Sequence, residues 1–462
     1  MKIEQIYTGC LAQGAYYIES QGEVAIIDPL REVQPYIDQA KRNNASIKYV
    51  FETHFHADFV SGHIDLSQKT NAPIVYGPNA KTGFKAHIAT DGEVFKLGNI
   101  SIKAIHTPGH TLESTCYLLI DENAQEKALF SGDTLFIGDV GRPDLAQKSD
   151  LSMSDLAAML YDSLRNKIMP LPNTVQVYPA HGAGSACGKN MSKETTDTLG
   201  NQKMFNYALR ANMTKTEFVE EVTRGLASPP KYFPQNVMMN KQGCESIDLV
   251  MQRANQALSP IDFEMAASQT SSLLLDTRNA QVFNKGFVPN AINIGLDGQF
   301  APWVGALIPN TKQEILLITT LGQEKETITR LARVGYDNVI GYLEGGFEAW
   351  KNTDYEIDSI VSLSAETVAD MTKQNEILII DVRKPSEFEN GHIPNAKNIP
   401  LDNINELMAD FPKTQTMYLH CAGGYRSMMA ASILKARGYD NLAEIAGGYA
   451  ALLKTELGNT MK

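Results

Sequence analysis

Histidine and aspartate residues collect in four short loops within the first 181 residues of the chain. Each loop follows an apolar, strand-like segment and carries side chains of the types that bind metal ions: His54, His56 and Asp58 in Thr53–Asp58, His110 after Pro108 and Gly109, Asp133 in Ser131–Thr134, and His181 in Pro179–Gly182. A lone histidine is most often structural, whereas several donor groups at successive strand ends are typical of a metal centre. The pattern therefore predicts a metal site.

These motifs resemble the metallo-β-lactamase fold, in which an H-x-H-x-D-H motif, a later histidine, an aspartate and a final histidine line one edge of an αββα sandwich. In members that hold two metal ions, the resemblance implies that the second ion uses Asp58, the histidine after it, His181 and a bridging Asp133. Here the residue after Asp58 is Phe59, so the second position lacks one imidazole. His63, a helical turn further on, is an alternative donor.

With the second position empty, His54, His110 and Asp133 remain as two imidazoles and one carboxylate with open positions. This is the facial triad suited to non-heme Fe(II) and oxygen chemistry. Within the superfamily the pattern is similar to the persulfide dioxygenases, which implies one Fe(II) per chain, with zinc as an alternative metal in the purified protein. The same resemblance implies that three more residues orient the ligands and the sulfur substrate: His56, Asp58 and His181.

Two further residues near these loops are candidates for contact with a substrate. The segment Gly141–Asp144 also matches the persulfide dioxygenase branch, and within it Arg142 is the nearest cation for an anionic substrate tail. The alternative for Arg142 is a structural ion pair. Cys187 follows His181 in the same loop and is a candidate reactive thiol that accepts sulfur, the alternative being a small buried residue.

The last two-fifths of the chain contain an internal repeat. Asp276-Thr277-Arg278 returns as Asp381-Val382-Arg383, and Gly286–Ala291 returns as Gly391–Ala396. In each copy a short apolar run precedes a turn and a helix-like segment, which is typical of a parallel sheet with crossover helices. Two copies of one domain of about 100 residues explain the pattern.

Cys421 in the second copy follows the strand-like segment Met417–His420 and precedes a pair of glycines. Gly423 and Gly424 allow successive backbone N–H groups to converge on one point, and the helix that begins near Ser427 adds partial positive charge. This environment favours a thiolate or a terminal persulfide on Cys421. The alternative is a buried structural cysteine.

Together with Asp381, Arg383 and Gly391–Ala396, this loop resembles the rhodanese sulfurtransferases across essentially the whole second copy. Cysteine phosphatases use a related loop but place arginine six residues after the cysteine, where this chain has Ser427. Phosphatase activity is therefore the weaker interpretation. The rhodanese resemblance implies catalytic roles for Cys421 and Arg426, and substrate contacts from Gly423, Gly424 and Tyr425.

The first copy lacks the thiol. Thr319 and Thr320 align with His420 and Cys421, and Leu321–Glu324 replaces the loop that contains glycine and arginine in the second copy. A hydroxyl group cannot carry sulfane sulfur. We expect a non-catalytic rhodanese-like copy that packs domains or dimers, and hence a homo-oligomer.

Composition and charge restrict the class of protein. The chain has 462 residues, and at about 100 to 200 residues per domain it divides into about three. A formal charge of −12 repels nucleic acid and anionic lipid, and no apolar run approaches the roughly 18 residues of a membrane span. The N-terminus lacks a signal-peptide apolar block and the five cysteines form no C-x-x-C pair, so we expect a reduced, cytoplasmic protein without nucleic-acid or membrane partners.

The predicted fold class is α/β: an N-terminal αββα metallo-β-lactamase sandwich followed by two rhodanese-like doubly wound α/β domains. A polar helical stretch from Lys193 to about Arg224, ended by Ser228–Pro230, closes the first domain. We expect the following boundaries: residues 1–240 for the dioxygenase-like domain, 241–259 for a linker, 260–355 for the inactive copy and 362–458 for the catalytic copy.

The arrangement resembles the persulfide dioxygenase and rhodanese fusion proteins of bacterial sulfide detoxification. It implies oxidation of a low-molecular-weight thiol persulfide by O2 to sulfite and the thiol, followed by transfer of sulfur from Cys421 to sulfite to give thiosulfate. The thiol carrier stays open among glutathione, coenzyme A and bacillithiol. The competing hypothesis is a dinuclear zinc thioester hydrolase of the glyoxalase II type with an appended sulfurtransferase. A third hypothesis is a persulfide sensor, against which the acidic charge and the lack of a DNA-binding motif count.

Overall fold

The computed structural model describes residues 1–146, 151–226 and 228–459. The chain divides into two compact units, Met1–Leu249 with Ala332–Gly335 and Val250–Leu331 with the residues from Tyr336 onward. Within the described residues, the first unit holds two six-stranded sheets and the second holds two five-stranded sheets. None of the helices in these ranges combines the length and the apolar character that crossing a bilayer requires.

The first unit alternates strands and helices along the chain. Its strands are β1 (Lys2–Thr8), β2 (Gln13–Ser20), β3 (Glu23–Ile27), β4 (Ser46–Phe51), β5 (Ile74–Tyr76), β6 (His87–Ile88), β7 (Val94–Leu97), β8 (Ile100–His106), β9 (Thr115–Ile120), β10 (Glu126–Gly132), β11 (Gln176–Pro179) and β12 (Asp197–Thr198). Its helices are α1 (Gln34–Arg42), α2 (His63–Thr70), α3 (Met153–Ser163), α4 (Leu199–Phe205), α5 (Lys215–Thr223) and α6 (Phe233–Gln242), and α7 (Ile247–Ala254) follows across the boundary between the units.

Both sheets of this unit are buried on two faces. One sheet has the order β1-β2-β3-β4-β5-β6 and the other has the order β12-β11-β10-β9-β8-β7. Because successive side chains of a strand point to opposite faces, Ile26 of β3 packs with Tyr36 of α1, whereas Ile27 joins Phe130 of β10 in the core between the sheets. On the outer face of the second sheet, Leu129 packs with Leu160 of α3. The layers are therefore helix, sheet, sheet and helix, which confirms the predicted αββα sandwich.

The predicted helical stretch from Lys193 to Arg224 is wrong as one element. The structure places β12, α4, a short 3-10 turn at Tyr207–Leu209 and α5 there. Asn206 separates the helices, because its side-chain amide donates to the backbone oxygens of Phe136 at 3.3 Å and Asp139 at 3.0 Å and its carbonyl accepts from the Ala208 N–H. These hydrogen bonds compete with continuation of the helix.

The second unit contains two copies of one parallel α/β arrangement. Its strands are β13 (Ala257–Leu258), β14 (Leu273–Asp276), β15 (Ile292–Asn293), β16 (Ile315–Ile318), β17 (Val339–Leu343), β18 (Ser362–Leu363), β19 (Leu378–Asp381), β20 (Lys397–Asn398), β21 (Met417–His420) and β22 (Leu442–Ile445). Its helices are α8 (Pro260–Gln269), α9 (Ala280–Phe283), α10 (Phe300–Leu307), α11 (Glu324–Arg333), α12 (Gly346–Lys351), α13 (Ala365–Gln374), α14 (Pro385–Glu389), α15 (Tyr425–Ala436), α16 (Gly448–Leu452) and α17 (Glu456–Asn459).

The two sheets of this unit have the same topology. Their orders are β13-β17-β16-β14-β15 and β18-β22-β21-β19-β20, and neighbouring strands run parallel. This confirms the two predicted rhodanese-like α/β copies. Strand β13 lies inside the predicted linker 241–259 but pairs with β17, so the end of that segment belongs to the first copy's sheet.

The strand register corrects the alignment of the two copies by one residue. Asp276 pairs with Ile318, and its counterpart Asp381 pairs with His420. Ile318 is therefore the counterpart of His420, and Thr319, rather than Thr320, stands at the position of Cys421. Either residue supplies a hydroxyl group, so the expectation that this copy lacks a sulfur-carrying thiol is unchanged.

Candidate metal centre and thiol loop

The predicted metal-binding residues meet at one edge of the sandwich. Strands β8 and β10 both pair antiparallel with β9, and β11 runs parallel to β10, so these three strands end on the same side. The loops that follow them carry His110, Asp133 and His181, and the loop after β4 in the other sheet carries His54, His56 and Asp58. The structure thus brings together all six predicted donors at strand ends.

His54, His110 and Asp133 form a buried donor set. The Asp133 Oδ2 atom lies 3.3 Å from His110 Nε2 and 3.8 Å from His54 Nε2, and each residue is at most 2 % exposed. Burial, with the neighbouring imidazoles, holds the pKa of His54 well below its usual range, so this ring is neutral. The three side chains are those predicted as a facial triad.

Hydrogen bonds fix which nitrogen of each imidazole is free. The Thr53 hydroxyl donates to Asp28 Oδ2 at 2.8 Å, so Thr53 Oγ1 accepts the Nδ1–H of His54 at 3.0 Å. The backbone oxygen of Arg142 accepts the Nδ1–H of His110 at 2.8 Å. Because a hydroxyl group has one proton and a carbonyl oxygen only accepts, both rings present a lone pair on Nε2, as metal ligands do.

A second donor set lies beside the first and shares Asp133. His181 Nε2 is 3.5 Å from Asp58 Oδ1 and 3.6 Å from Asp133 Oδ1. His181 Nδ1 faces the backbone oxygen of Ala12 at 3.3 Å. Burial raises the pKa of Asp58 above its usual value, although the His181 and His56 side chains oppose this shift.

His56 contacts two carboxylates and also offers a ligand atom within 4.8 Å of those of Asp58 and His181. Its Nε2 atom lies 3.1 Å from Asp28 Oδ1 and 3.6 Å from Glu52 Oε2. Burial would lower the pKa of His56, but Asp28 and Glu52 raise it to about 9. The ring of Phe59 lies against His56 with 4.4 Å between ring centroids.

His63 lies apart from the second donor set. Its Nδ1 atom is 3.7 Å from Glu52 Oε1, and its ring packs 5.0 Å from the ring of Phe84. Burial lowers the pKa of His63 to about 3. Among the described residues, the donor clusters around Asp133 do not include His63, and its role as a replacement for the imidazole lost at Phe59 stays an alternative.

Arg142 and Cys187 both lie near the metal-binding residues. The Arg142 guanidinium is held by both carboxylate oxygens of Asp144, at 2.6 and 2.7 Å, as the ion-pair alternative expected. Its contact with a substrate stays a prediction. The Cys187 thiol is 1 % exposed and lies within 4.8 Å of donor atoms of Asp133 and His181. Burial, with Asp58 and Asp133, raises the pKa of Cys187 well above its usual value.

The residues of this edge fit a metal ion. Asp133 Oδ1 and Oδ2, Asp58 Oδ1 and His181 Nε2 are buried, and among the described residues they have no hydrogen-bond partner. Buried polar atoms are nearly always paired, because an unpaired acceptor loses its hydration without compensation. Carboxylate oxygens and imidazole nitrogens with free lone pairs need a cation at this place.

The predicted thiol loop places hydrogen-bond donors around the cysteine sulfur. Cys421 follows β21, and its Sγ atom accepts the Gly424 N–H at 3.1 Å and faces the Ser427 hydroxyl at 3.6 Å. Gly424 has a φ of 104°, a conformation that favours glycine. Helix α15 begins at Tyr425, so its N-terminus lies closer to Cys421 than the predicted start at Ser427.

Other predicted residues of this loop have protein partners. Arg426 forms a two-pronged ion pair with Glu387, at 2.6 and 2.8 Å. The Tyr425 hydroxyl donates to the Gly295 oxygen of the first copy at 2.8 Å. Gly423 is exposed beside the buried Cys421. The substrate roles of Arg426, Gly423, Gly424 and Tyr425 stay predictions.

Four residues that support the two sites were not predicted from the sequence. Asp28 and Thr53 hold His54, while Glu387 holds Arg426 and Glu444 lies under the thiol loop with its Oε1 atom 3.0 Å from the Ser427 hydroxyl. Asp28 directly follows β3, so the signal that revealed the other aspartates also applied to it. Glu444 lies inside β22, where nothing in the sequence distinguishes it.

Comparisons with known proteins agree with this architecture. The model of the metallo-beta-lactamase superfamily matches residues 8–181, and the model of the rhodanese-like domain matches residues 260–353 and 364–455. The chain belongs to the metallo-beta-lactamase superfamily and carries two rhodanese-like domains. This combination makes it an enzyme.

Individual relatives cover the first unit or most of the chain. A crystal structure of a metallo-beta-lactamase from Staphylococcus aureus is 32 % identical, with a TM-score of 0.65, and the match covers 74 % of this chain and 98 % of that one. A probable hydroxyacylglutathione hydrolase from Schizosaccharomyces pombe is 27 % identical over 49 % of this chain and 91 % of its own. The cytoplasmic hydroxyacylglutathione hydrolase from Arabidopsis thaliana is 32 % identical over 39 % of this chain and 67 % of its own.

Proposed function

We propose that the enzyme oxidises a low-molecular-weight thiol persulfide with O2 to sulfite and the thiol, and that its second rhodanese-like copy transfers sulfane sulfur to sulfite to form thiosulfate. One O2 and one water supply the three oxygen atoms of sulfite. The observation that carries the proposal is the buried set of His54, His110 and Asp133, with Phe59 in place of a further imidazole. Two imidazoles and one carboxylate are the ligands of non-heme Fe(II) oxygenases.

The first donor set would hold one Fe(II), which supplies activation of O2 for oxidation of sulfur. The protein residues prepare this position before any ligand binds. Thr53 and the Arg142 backbone oxygen keep the Nε2 lone pairs of His54 and His110 directed toward Asp133 Oδ2. The surrounding residues are buried and keep bulk water away from the donors.

The thiol loop supports the second reaction. Attack of the Cys421 thiolate on the outer sulfur of a persulfide breaks its S–S bond and releases the carrier thiolate. The resulting Cys421 persulfide anion is stabilised by the Gly424 N–H and by the N-terminus of α15. Sulfite then attacks the outer sulfur, the S–S bond breaks, and thiosulfate leaves while Cys421 returns to the thiolate.

Two measurements test this function. The Fe(II)-loaded enzyme should consume O2 when glutathione persulfide or coenzyme A persulfide is added, and no consumption with either would contradict the oxidation step. The Cys421→Ser variant should still consume O2 but should release sulfite instead of thiosulfate. A product ratio equal to that of the unchanged enzyme would contradict the role of Cys421.

A second candidate function is hydrolysis of a glutathione thioester at two zinc ions. The names of the hydroxyacylglutathione hydrolase relatives and the unpaired atoms of Asp58 and His181 favour it. Elemental analysis of enzyme purified with and without air separates the two functions. One iron per chain with persulfide-dependent O2 uptake supports oxidation, whereas two zinc ions with thioester hydrolysis support the alternative. For either function, we expect a cytoplasmic homo-oligomer.

A further inference from the structure

Tyr425, the first residue of α15, is anchored on the first rhodanese-like copy. Its hydroxyl donates to the Gly295 oxygen at 2.8 Å. Burial, together with Asp297, raises the pKa of Tyr425 above its usual value, so the hydroxyl keeps its proton and remains a donor. A second anchor lies two turns further along the same helix, where the Ser432 hydroxyl accepts the Asn293 N–H at 2.9 Å. The first copy therefore holds α15 at two points.

Two glycines of the first copy leave room for the ring of Tyr425. A Cβ atom at Gly295 would lie 3.3 Å from Tyr425 Cε2, and a Cβ atom at Gly298 would lie 3.1 Å from Tyr425 Cζ. Both distances are shorter than the roughly 3.5–4.0 Å at which carbon atoms pack favourably. A side chain at either position would therefore displace the ring. We refer to Gly295 and Gly298 as the glycine socket.

The second copy does not share these two glycines. Asn293 of the first copy and Asn398 of the second occupy equivalent places in the strand register. Counted from these residues, Pro400 and Asn403 of the second copy stand where the first copy has the glycine socket. The two copies thus differ at the positions that contact the ring of Tyr425, although the fold around them is the same. This difference indicates that the socket serves the contact with Tyr425 rather than the folding of the copy.

The thiol loop depends on a restraint from outside itself. Gly423 and Gly424 lie between Cys421 and α15, and among the described residues nothing lies within 4 Å of the place that a Gly423 Cβ atom would take. Glycine loses more backbone freedom on folding than any other residue, so this loop does not fix its own conformation. The Gly424 N–H donates to Cys421 Sγ at 3.1 Å. Because Tyr425 follows Gly424 directly, the position of Tyr425 sets the direction of this donor.

We propose that the first copy, which lacks the thiol, supports the sulfur-carrying loop of the second copy, with Tyr425 as the positioning residue and the glycine socket as its binding place. This inference rests on the proposed sulfur transfer and adds a role for the first copy. When the Cys421 thiolate attacks the outer sulfur of thiosulfate, the S–S bond breaks, sulfite leaves with the electron pair, and Cys421 becomes a persulfide anion. The Gly424 N–H and the N-terminus of α15 stabilise this anion, and the first copy keeps both in place.

The test is anaerobic equilibration of the full-length enzyme with mixtures of thiosulfate and sulfite, followed by mass spectrometry of the fraction of Cys421 that carries a persulfide. Tyr425→Phe should need a thiosulfate-to-sulfite ratio about two- to ten-fold higher for half-conversion, which is what one hydrogen bond is worth. Gly298→Ala should raise this ratio at least as much. In a Tyr425→Ala background, Gly298→Ala should have no further effect, because the ring that it would displace is absent. This equilibrium concerns the folded enzyme, so a loss of stability alone does not change it.

Two matched controls should keep the ratio of the unchanged enzyme. Tyr439→Phe removes a hydroxyl that donates to the Met408 oxygen at 3.0 Å within the second copy. Gly322→Ala adds a side chain at a φ of 85° in the first copy, where nothing in the described part of the chain lies within 4 Å, and far-ultraviolet circular dichroism checks the folding of every variant.

Two results would overturn the inference: a ratio in Tyr425→Phe equal to that of the unchanged enzyme, or the same effect of Gly298→Ala with and without the Tyr425 ring. Absence of the persulfide from the unchanged enzyme at every ratio would contradict the proposed sulfur transfer itself, and the inference with it. The two kinds of failure are distinguishable, because only the second is seen without any variant.

Discussion

At the scale of single residues, the donors of the metal centre were predictable and their supports were not. His54, His110 and Asp133 each follow an apolar segment, and this local signal is visible in the sequence. Which ring nitrogen is free depends on Thr53 and on a backbone oxygen, and no sequence pattern encodes contacts of that kind. Phe59 was predictable in part. The sequence shows that it stands where the family motif has a histidine, whereas its contact with the His56 ring is seen only in the structure.

Thr53→Val should weaken metal binding at the first donor set by about 10- to 100-fold, the usual effect of losing a partner of a metal ligand. Valine has nearly the same shape but cannot accept the Nδ1–H of His54, so the ring loses its fixed tautomer and orientation. Competition with a chelator measures the affinity. Thr53→Ser keeps the hydroxyl group and should bind metal as the unchanged enzyme does. Equal affinities of the valine and serine variants would contradict the role of Thr53.

Glu444→Gln should speed alkylation of Cys421 by iodoacetamide several-fold at neutral pH. The Glu444 carboxylate contacts the Ser427 hydroxyl, which in turn lies 3.6 Å from the sulfur, and removal of its negative charge favours the sulfur anion. Burial raises the pKa of Glu444 above its usual value, so the charge is present above that raised pKa and is lost below it.

The difference between the Glu444→Gln variant and the unchanged enzyme should therefore disappear as the pH falls through the raised pKa of Glu444. Rates of iodoacetamide modification across a pH series measure it. Glu366→Gln removes the same charge from an exposed position in α13 of the same copy and should have no effect. A pH-independent ratio between variant and unchanged enzyme would contradict the electrostatic role.

At the scale of elements, the strand ends were predictable and the irregular segments were not. The strand-like segment Met417–His420 is β21 at its predicted bounds. Asn206, in contrast, divides the predicted helical stretch through hydrogen bonds to Phe136 and Asp139, residues far away in the sequence. The one-residue error in aligning the two copies had a similar cause, since strand register follows from pairing across the sheet rather than from local sequence.

Gly132 connects β10 to Asp133 and has no space for a side chain. Its φ is 52°, and a Cβ atom there would lie 2.7 Å from the side chain of Thr53. Gly132→Ala should lower the free energy of unfolding by about 2–4 kcal/mol, through backbone strain and overpacking, and should also reduce metal binding because Thr53 holds His54. Gly92→Ala is the control: its φ is 87°, but nothing lies within 4 Å.

Urea denaturation measures the free energy of unfolding of the two glycine variants. Together with their metal content, it distinguishes the strain of a positive φ from steric crowding against Thr53. The Gly92→Ala variant should lose only the cost of the backbone conformation, about 1–2 kcal/mol, and should keep its metal. Equal losses of stability and equal metal contents in the two variants would show that the contact with Thr53 is unimportant.

At the scale of the whole molecule, one rhodanese-like topology occurs twice, with Cys421 in the second copy and Thr319 at the equivalent position of the first. The sequence predicted both the duplication and the loss of the thiol in the first copy, because the repeated motifs are long enough to align. It did not predict the hydrogen bonds of the two loops. In the first copy the Gly322 N–H donates to the Glu324 carboxylate at 3.1 Å, whereas in the second copy the Gly424 N–H donates to Cys421 Sγ.

Thr319→Cys in a Cys421→Ser background should not restore sulfur transfer. The new thiol would occupy the position equivalent to Cys421, but Glu324 already accepts a loop amide and adds a negative charge to that loop. An assay of sulfur transfer from thiosulfate to cyanide measures the activity. Activity within about ten-fold of the unchanged enzyme would show that the cysteine alone distinguishes the two copies, and would contradict the importance of the loop.

The burial of Cys421 limits which reagents can reach its sulfur. Cys421 is 1 % exposed, so bulky electrophiles and the thiols of other proteins have little access to its sulfur. A sulfane sulfur carried on Cys421, as we propose, would thus be protected from forming mixed disulfides before its acceptor arrives.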